Sequence, residues 1–257
     1  VNIVGVIADV AITQEYMNEG TQALEAIYTF PASSNAAVYA MEMVVGDRKI
    51  VAKIEEKNKA RQQYEQAKTE GKRTSLLEQS RPNVFQMNVA NIMPGDKIRV
   101  TLKYTELLIP EDGRYEFVYP TVMCPRYSEQ SSPDDQFVNT PYTPQGTESS
   151  YDFSIAVRIA AGMPIQDISC KTQQIEINYA GTSEAQVKLK EAENKSGNRD
   201  FVLNYRLTGN EIQSGLMLYE HNDEKFFLLT VQPPQRVVQD KIPPREYIFI
   251  VDVSGSM

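Results

Sequence analysis

The chain has little of what zinc sites and catalytic triads are built from. It holds a single histidine, His221, in the polar stretch Glu220-His-Asn-Asp-Glu224. A Ser-His-Asp or Cys-His pair has to use that imidazole, and its surroundings read as a solvated turn, not a pocket. Zinc is short of ligands for the same reason. Two cysteines, Cys124 and Cys170, allow at most one disulfide, and the reading favours two free thiols. No apolar run approaches transmembrane length. Residues 1–20 have no basic start followed by an apolar core, so no signal peptide is expected. The chain opens mid-pattern on apolar residues, as a processed or trimmed start would. Positive charge is in deficit: the net charge is −8, which speaks against a nucleic-acid or anionic-membrane surface. Gly95, Gly113 and Gly209 read as turn glycines, and no phosphate loop is present. The carboxylate pairs Glu111/Asp112 and Asp134/Asp135 are sequence neighbours in loops and point apart, which argues against a glycosidase pair. No enzyme is expected within this chain.

Strand patterns fill most of it. Val4, Val6, Ala8, Val10 and Ile12 alternate, as do Leu24, Ala26, Tyr28 and Phe30 before Pro31. Residues 36–54 read as a hairpin turning at Gly46-Asp47. Residues 55–70 change grammar and read as one surface helix. Glu55 and Glu56 stand in its first turn, Lys68 in its last, and Gly71 at its cap. Ala60, Tyr64 and Ala67 form a narrow apolar stripe, with Tyr64 the main anchor. Strands resume at Val84–Val89, at Ile98, Val100, Leu102 and Tyr104, and at Tyr115, Phe117 and Tyr119. Pro94-Gly95 suits the centre of a type II turn between the first two.

Residues 121–150 lose all periodicity and read as a long loop. Later strands are expected at 153–159, 165–168, 175–177, 187–189, 201–207 and 226–231. Asn194-Lys-Ser196 fits the N-glycosylation pattern in a loop. Pro233, Pro234, Pro243 and Pro244 make residues 232–246 an extended linker. The expected fold is all-β: an antiparallel β-sandwich over residues 1–231 with one surface α-helix.

The last stretch, residues 247–257, differs. Tyr247-Ile-Phe-Ile-Val251 is an apolar run that suits a strand buried on both faces of a parallel sheet. Asp252-Val-Ser-Gly-Ser256 follows at once. Asp252, Ser254 and Ser256 offer one carboxylate and two hydroxyls, hard oxygens beyond the carboxyl end of a strand. Ligands of α/β sheets bind at such ends. That donor set suits Mg²⁺, Mn²⁺ or Ca²⁺.

Phe249-Ile-Val-Asp-Val-Ser-Gly-Ser-Met257 resembles the first strand and metal-ion-dependent adhesion site of a von Willebrand factor type A domain. The resemblance implies that Asp252, Ser254 and Ser256 are three of its cation ligands. A Thr and an Asp from later loops complete that site, and its cation takes a carboxylate from a partner. The order of the earlier stretches is similar to a vault protein inter-alpha-trypsin (VIT) domain. They are Glu25-Ala-Ile-Tyr-Thr-Phe-Pro, Gly46-Asp-Arg-Lys-Ile, Glu56-Lys with Ala60 and Tyr64-Glu-Gln-Ala, Asn91-Ile-Met-Pro-Gly-Asp, and Tyr104-Thr-Glu-Leu-Leu. A VIT domain followed by a type A domain is the layout of inter-alpha-trypsin inhibitor heavy chains and of many bacterial envelope proteins. It implies an extracellular or cell-envelope protein, periplasmic or on the cell surface if bacterial. It also implies non-enzymatic adhesion or scaffolding, with a protein or matrix ligand bound through an acidic group. The alternative is an accessory region of an enzyme whose catalytic part lies beyond residue 257.

Overall fold

The structure is a computed structural model. It describes residues 1–31, 33, 35–46, 48–51, 57–72, 74–81, 84–121, 147–207, 213–233, 244 and 246–251. Sixteen strands and one α-helix are found among the described residues. They run β1 (Asn2–Val4), β2 (Ile7–Met17), β3 (Leu24–Pro31), β4 (Ala37–Val45), β5 (Arg48–Val51), α1 (Lys57–Thr69), β6 (Thr74–Arg81), β7 (Val84–Ile92) and β8 (Lys97–Leu107). Then come β9 (Arg114–Tyr119), β10 (Ala156–Ala160), β11 (Ile165–Cys170), β12 (Ile175–Tyr179), β13 (Glu184–Leu189), β14 (Phe201–Leu207), β15 (Gln213–His221) and β16 (Glu224–Gln232). The all-β class and the single helix are as expected.

One eight-stranded sheet, ordered β12-β13-β10-β1-β2-β8-β4-β5, forms the larger layer. Two three-stranded sheets, β11-β14-β9 and β3-β7-β6, and the β15–β16 hairpin make up the rest. Buried side chains from the large sheet, from β7 and from β9, β11 and β14 meet in one hydrophobic core. The period-two pattern explains the layering. In β8, Ile98, Val100, Leu102 and Tyr104 all face inward and are buried, while the residues between them are exposed or half-buried. β14 contributes Phe201, Leu203, Tyr205 and Leu207 from the facing sheet, and Tyr205 stacks on Tyr115 at 4.9 Å.

The sheet is not wholly antiparallel. β1 pairs with β10 in parallel register, Asn2↔Arg158, Ile3↔Ile159 and Val4↔Ala160. The expected single strand over Val4–Ile12 is also two strands. Gly5 takes a left-handed φ of 59°, which glycine adopts without steric cost, and the chain turns there from β1 into β2. The turn resets the faces, so that Ile3, Ala8 and Val10 point inward while Val4 and Ile7 are exposed. Strands β6 and β15 were not expected at all.

Helix α1 begins at Lys57, with no acid in its first turn; Glu55 and Glu56 lie outside the described residues. Its end is built as expected. Gly71 has φ 69° and donates to Lys68 O, while Lys72 N donates to Ala67 O at 2.9 Å, the two bonds of a Schellman motif. Asn91 adds a second cap, its Nδ2 donating to Lys68 O and Lys72 O at 3.2 and 2.8 Å. Tyr64 is the buried anchor, and its hydroxyl donates to Glu25 Oε1 at 3.0 Å. The turn at Pro94-Gly95 has Gly95 at φ 78° and Asp96 N donating to Met93 O, as a type II turn requires. Of the expected loop over 121–150, residues 122–146 lie outside the described residues. Residues 147–153 are tied to the 194–198 segment through Asn198 Nδ2→Thr147 O and Phe153 N→Asn194 O.

Candidate metal-ion motif and its surroundings

The run Tyr247–Val251 is not part of any strand ladder, against the expectation of a doubly buried strand. Its side chains are 68–92% exposed, Ile250 most of all. Tyr247 and Phe249 stack with centroids 6.3 Å apart, the same-side neighbours of an extended backbone. The physical reason for the difference is partnership. An apolar strand needs neighbours on both edges and both faces, and none of the described residues supplies them. Gln232, expected as the first linker residue, instead closes β16 opposite Gln213. Residues 234–243 and Arg245 lie outside the described residues.

Asp252, Ser254 and Ser256 lie outside the described residues too. Their chemistry alone bears on a cation. One carboxylate and two hydroxyls are the right class of oxygen for Mg²⁺. They are too few to fill an octahedral shell, and Mg²⁺ parts with its waters reluctantly. The set therefore fits a divalent cation as a partial site. Among the described residues no group of three or more His, Cys, Asp or Glu is arranged to hold a metal ion.

The other candidates fall as follows. His221 is the last residue of β15, pairing with Glu224 across a two-residue turn in which Asn222 and Asp223 have φ of 49° and 65°. It thus flanks a hairpin tip. Cys170 is a half-buried free thiol, and Cys124 lies outside the described residues. Asp134, Asp135 and Gly209 lie there as well. Asp112 and Gly113 turn the chain tightly, with φ of 49° and 70°, between Glu111 and Arg114. In the glycosylation pattern Ser196 is buried, with its hydroxyl unpartnered.

One functional-looking group escaped notice in the sequence. Glu106 continues the inward alternation of β8 after Tyr104 and is buried. Burial pushes its carboxyl above the usual range, opposed by a hydrogen bond from Ser33, and its Oε1 has no partner. Burial, with the Glu106 charge second, also pushes the Tyr104 hydroxyl well up. The signal was available: Glu106 stands two residues beyond Tyr104 in a strictly alternating strand. Ser33 hydrogen-bonds to this carboxyl and Tyr104 feels its charge, and neither contact by itself makes a catalytic constellation. Elsewhere charge serves structure. Lys68 holds the Glu25 carboxyl low, helped by Tyr64. Arg199 pairs with the buried Glu193, whose Oε1 accepts from Gln174 N at 2.9 Å.

Comparison with known proteins places this arrangement. Residues 1–104 match the model of the vault protein inter-alpha-trypsin domain. That span takes in β1 to β7, α1 and most of β8, while β10, which pairs with β1, lies outside it. The human von Willebrand factor A domain-containing protein 5A is 32% identical over 272 residues, covering 100% of this chain and 34% of that protein. The rat protein of the same name is 33% identical over 98% of this chain and 32% of its own length. The human protein mono-ADP-ribosyltransferase PARP4 is 37% identical over 108 residues, 42% of this chain and 6% of that protein. The chain thus spans about a third of the length of the first of these relatives. It carries a match to the VIT domain over residues 1–104 and is a relative, along its whole length, of the von Willebrand factor A domain-containing proteins.

Proposed function

We propose that this chain is the scaffold end of a non-enzymatic adhesion or scaffold protein. Residues 1–231 are its sandwich, 232–246 a proline-rich link, and 247–257 the start of a type A domain. That domain, once complete, holds Mg²⁺, Mn²⁺ or Ca²⁺ through Asp252, Ser254 and Ser256 together with ligands from later loops. The bound cation supplies an electrophilic position for an acidic group of a protein or matrix ligand. Asp252 contributes the only carboxylate of the three, Ser254 and Ser256 neutral oxygens, so these three offset only one of the cation's two charges. Such a protein belongs at the cell surface, in the envelope or outside the cell.

The observation that carries this reading is the similarity to proteins named for their type A domain. It runs the length of the chain, including the exit from Tyr247–Val251 into Asp252-x-Ser254-x-Ser256. The test is a pull-down of partner protein by the chain continued past Met257, with and without chelator, for the parent and for Asp252→Ala. Capture lost in both chelator and variant supports the reading; capture indifferent to both sinks it.

A second reading has its own observation. The match to a protein named as a mono-ADP-ribosyltransferase lets the sandwich be an accessory region of an enzyme whose chemistry lies beyond residue 257. Under that reading the longer protein modifies a substrate, and Asp252→Ala leaves turnover intact.

A further inference from the structure

Hairpin β15–β16 has one face seated at its base, with Tyr219 and Phe226 toward the tip exposed, and the other face bare. Its seated face rests where the parallel strands β1 and β10 end. Gly5 follows β1 and Gly162 lies just beyond β10, both with left-handed φ, 59° and 71°. Met217 and Leu228 pack over Gly5, and the backbone of Gly215 lies so close to Gly162 that a Cβ added there would meet Gly162 O at 2.8 Å. The opposite face is formed by Leu216, Leu218, Phe227, Leu229 and Val231, brought together by the pairs Leu216↔Leu229, Leu218↔Phe227 and Ser214↔Val231. Each of these five apolar side chains is 56–77% exposed. Charge on this face is confined to the pair Glu220↔Lys225 near the tip. A contiguous apolar face of this kind on a two-stranded ribbon marks a contact surface.

We infer that this face seats the type A domain that begins at Tyr247; the inference rests on the reading above that such a domain follows. Three observations single out that occupant. The chain leaves the hairpin at Gln232, and residues 233–246, at no more than about 3.5 Å each, keep Tyr247 within roughly 50 Å of it. The next apolar run after the hairpin, Tyr247–Val251, is the expected first strand of that domain, so the domain starts one short link from the bare face. The relatives that align with the entire chain are about three times as long and are named for that domain. Tethering makes the contact intramolecular, at an effective concentration on the order of millimolar, so a purely apolar seat of five side chains suffices. Seating the domain fixes the direction in which the Asp252 turn faces its ligand.

The experiment uses the protein continued through the type A domain. Cysteine is placed on the bare face by Leu218→Cys and, separately, by Leu229→Cys. Reference cysteines go to exposed sandwich positions by Ile109→Cys and Val51→Cys. Maleimide labelling at each site is followed by peptide mass, which separates it from Cys124 and Cys170. The seated domain is expected to slow both hairpin sites by at least about tenfold against the references, at every protein concentration. Adding Phe227→Asp to Leu218→Cys is expected to restore fast labelling. Equal rates at hairpin and reference sites overturn the inference. So does slowing that disappears on dilution, which assigns the face to a second copy, and so does protection that survives Phe227→Asp. Magnesium calorimetry on the same protein separates the two readings. Protection without cation binding leaves the seat standing and removes the adhesion site; cation binding without protection does the reverse.

Discussion

Strands β8 and β16 are written in similar residues and meet opposite environments. β8 alternates Ile98, Val100, Leu102 and Tyr104, none more than 5% exposed. β16 alternates Phe227, Leu229 and Val231 on one face, all more than half exposed. Alternation decides which side chains share a face. Whether that face is buried depends on a second layer. For β8 the layer exists within the chain, in β14 and β9. For the outer face of β16, and for Tyr247–Val251, none of the described residues supplies one. The described residues up to Leu207 thus supply the hydrophobic core, while the outer face of β15–β16 and Tyr247–Val251 present apolar surface that none of the described residues covers.

The largest test of that contrast is truncation of one large apolar side chain in each region. Phe117→Ala, at a position with 0% exposure, is expected to lose about 3–5 kcal/mol in urea unfolding. Leu218→Ala, at 77% exposure, is expected to stay within about 0.5 kcal/mol. A loss at Leu218 rivalling that at Phe117 would show the hairpin face to be covered in this chain.

Next in size is the helix. Tyr64→Ala removes the one buried side chain described on α1 and is expected to lose about 3 kcal/mol. Tyr64→Phe removes only the donor to Glu25 and is expected to lose about 1 kcal/mol. Were the alanine variant to melt with the parent, the helix would not be docked through this ring.

These elements also show what the sequence made legible. The strands with strict alternation, the helix with its Gly71 end and the Pro94-Gly95 turn were readable because local chemistry determines them. Strand β6, Thr-Ser-Leu-Leu-Glu-Gln-Ser-Arg, was not, because its only apolar residues are adjacent and carry no period. Strand β15 hid for a similar reason, with Gly215 in its pattern and Leu216, Met217 and Leu218 running together. Its existence depends on pairing with β16. The parallel pairing of β1 with β10 is a long-range fact, since residues 2 and 158 meet only in the folded chain. Of the candidate site, Asp252, Ser254 and Ser256 were legible as chemistry alone. Their arrangement lies outside the described residues.

Glu106 gives the smallest effect and the one with a pH signature. Its carboxyl is raised by burial, so the folded chain holds that proton more firmly than the unfolded chain. Its contribution is therefore full below the unfolded pKa and declines as pH rises through the raised folded value. Glu106→Gln keeps the neutral form at every pH. The variant is expected to lack that decline and to melt above the parent at neutral pH, with the two converging in acid. Parallel melting curves from acid to neutral pH would show that the buried carboxyl is not proton-linked to folding. The Glu42–Lys49 pair, which bridges at the surface at 2.7 Å, has the opposite sign: Lys49 holds the Glu42 carboxyl low, so its small, solvent-screened contribution is present above the unfolded pKa and lost as pH falls.

The proposed division is between a β-sandwich that folds within residues 1–231 and a cation site that Asp252, Ser254 and Ser256 only begin. Calorimetric Mg²⁺ titration of two proteins, residues 1–257 and the chain continued through the type A domain, tests it directly. The present chain is expected to give weak heats or none, because three oxygens do not fill the shell of a reluctantly dehydrated ion. The longer protein is expected to bind one ion, and Asp252→Ala to abolish that binding without shifting the melting of the sandwich. Tight binding by residues 1–257, or none by the longer protein, would contradict it.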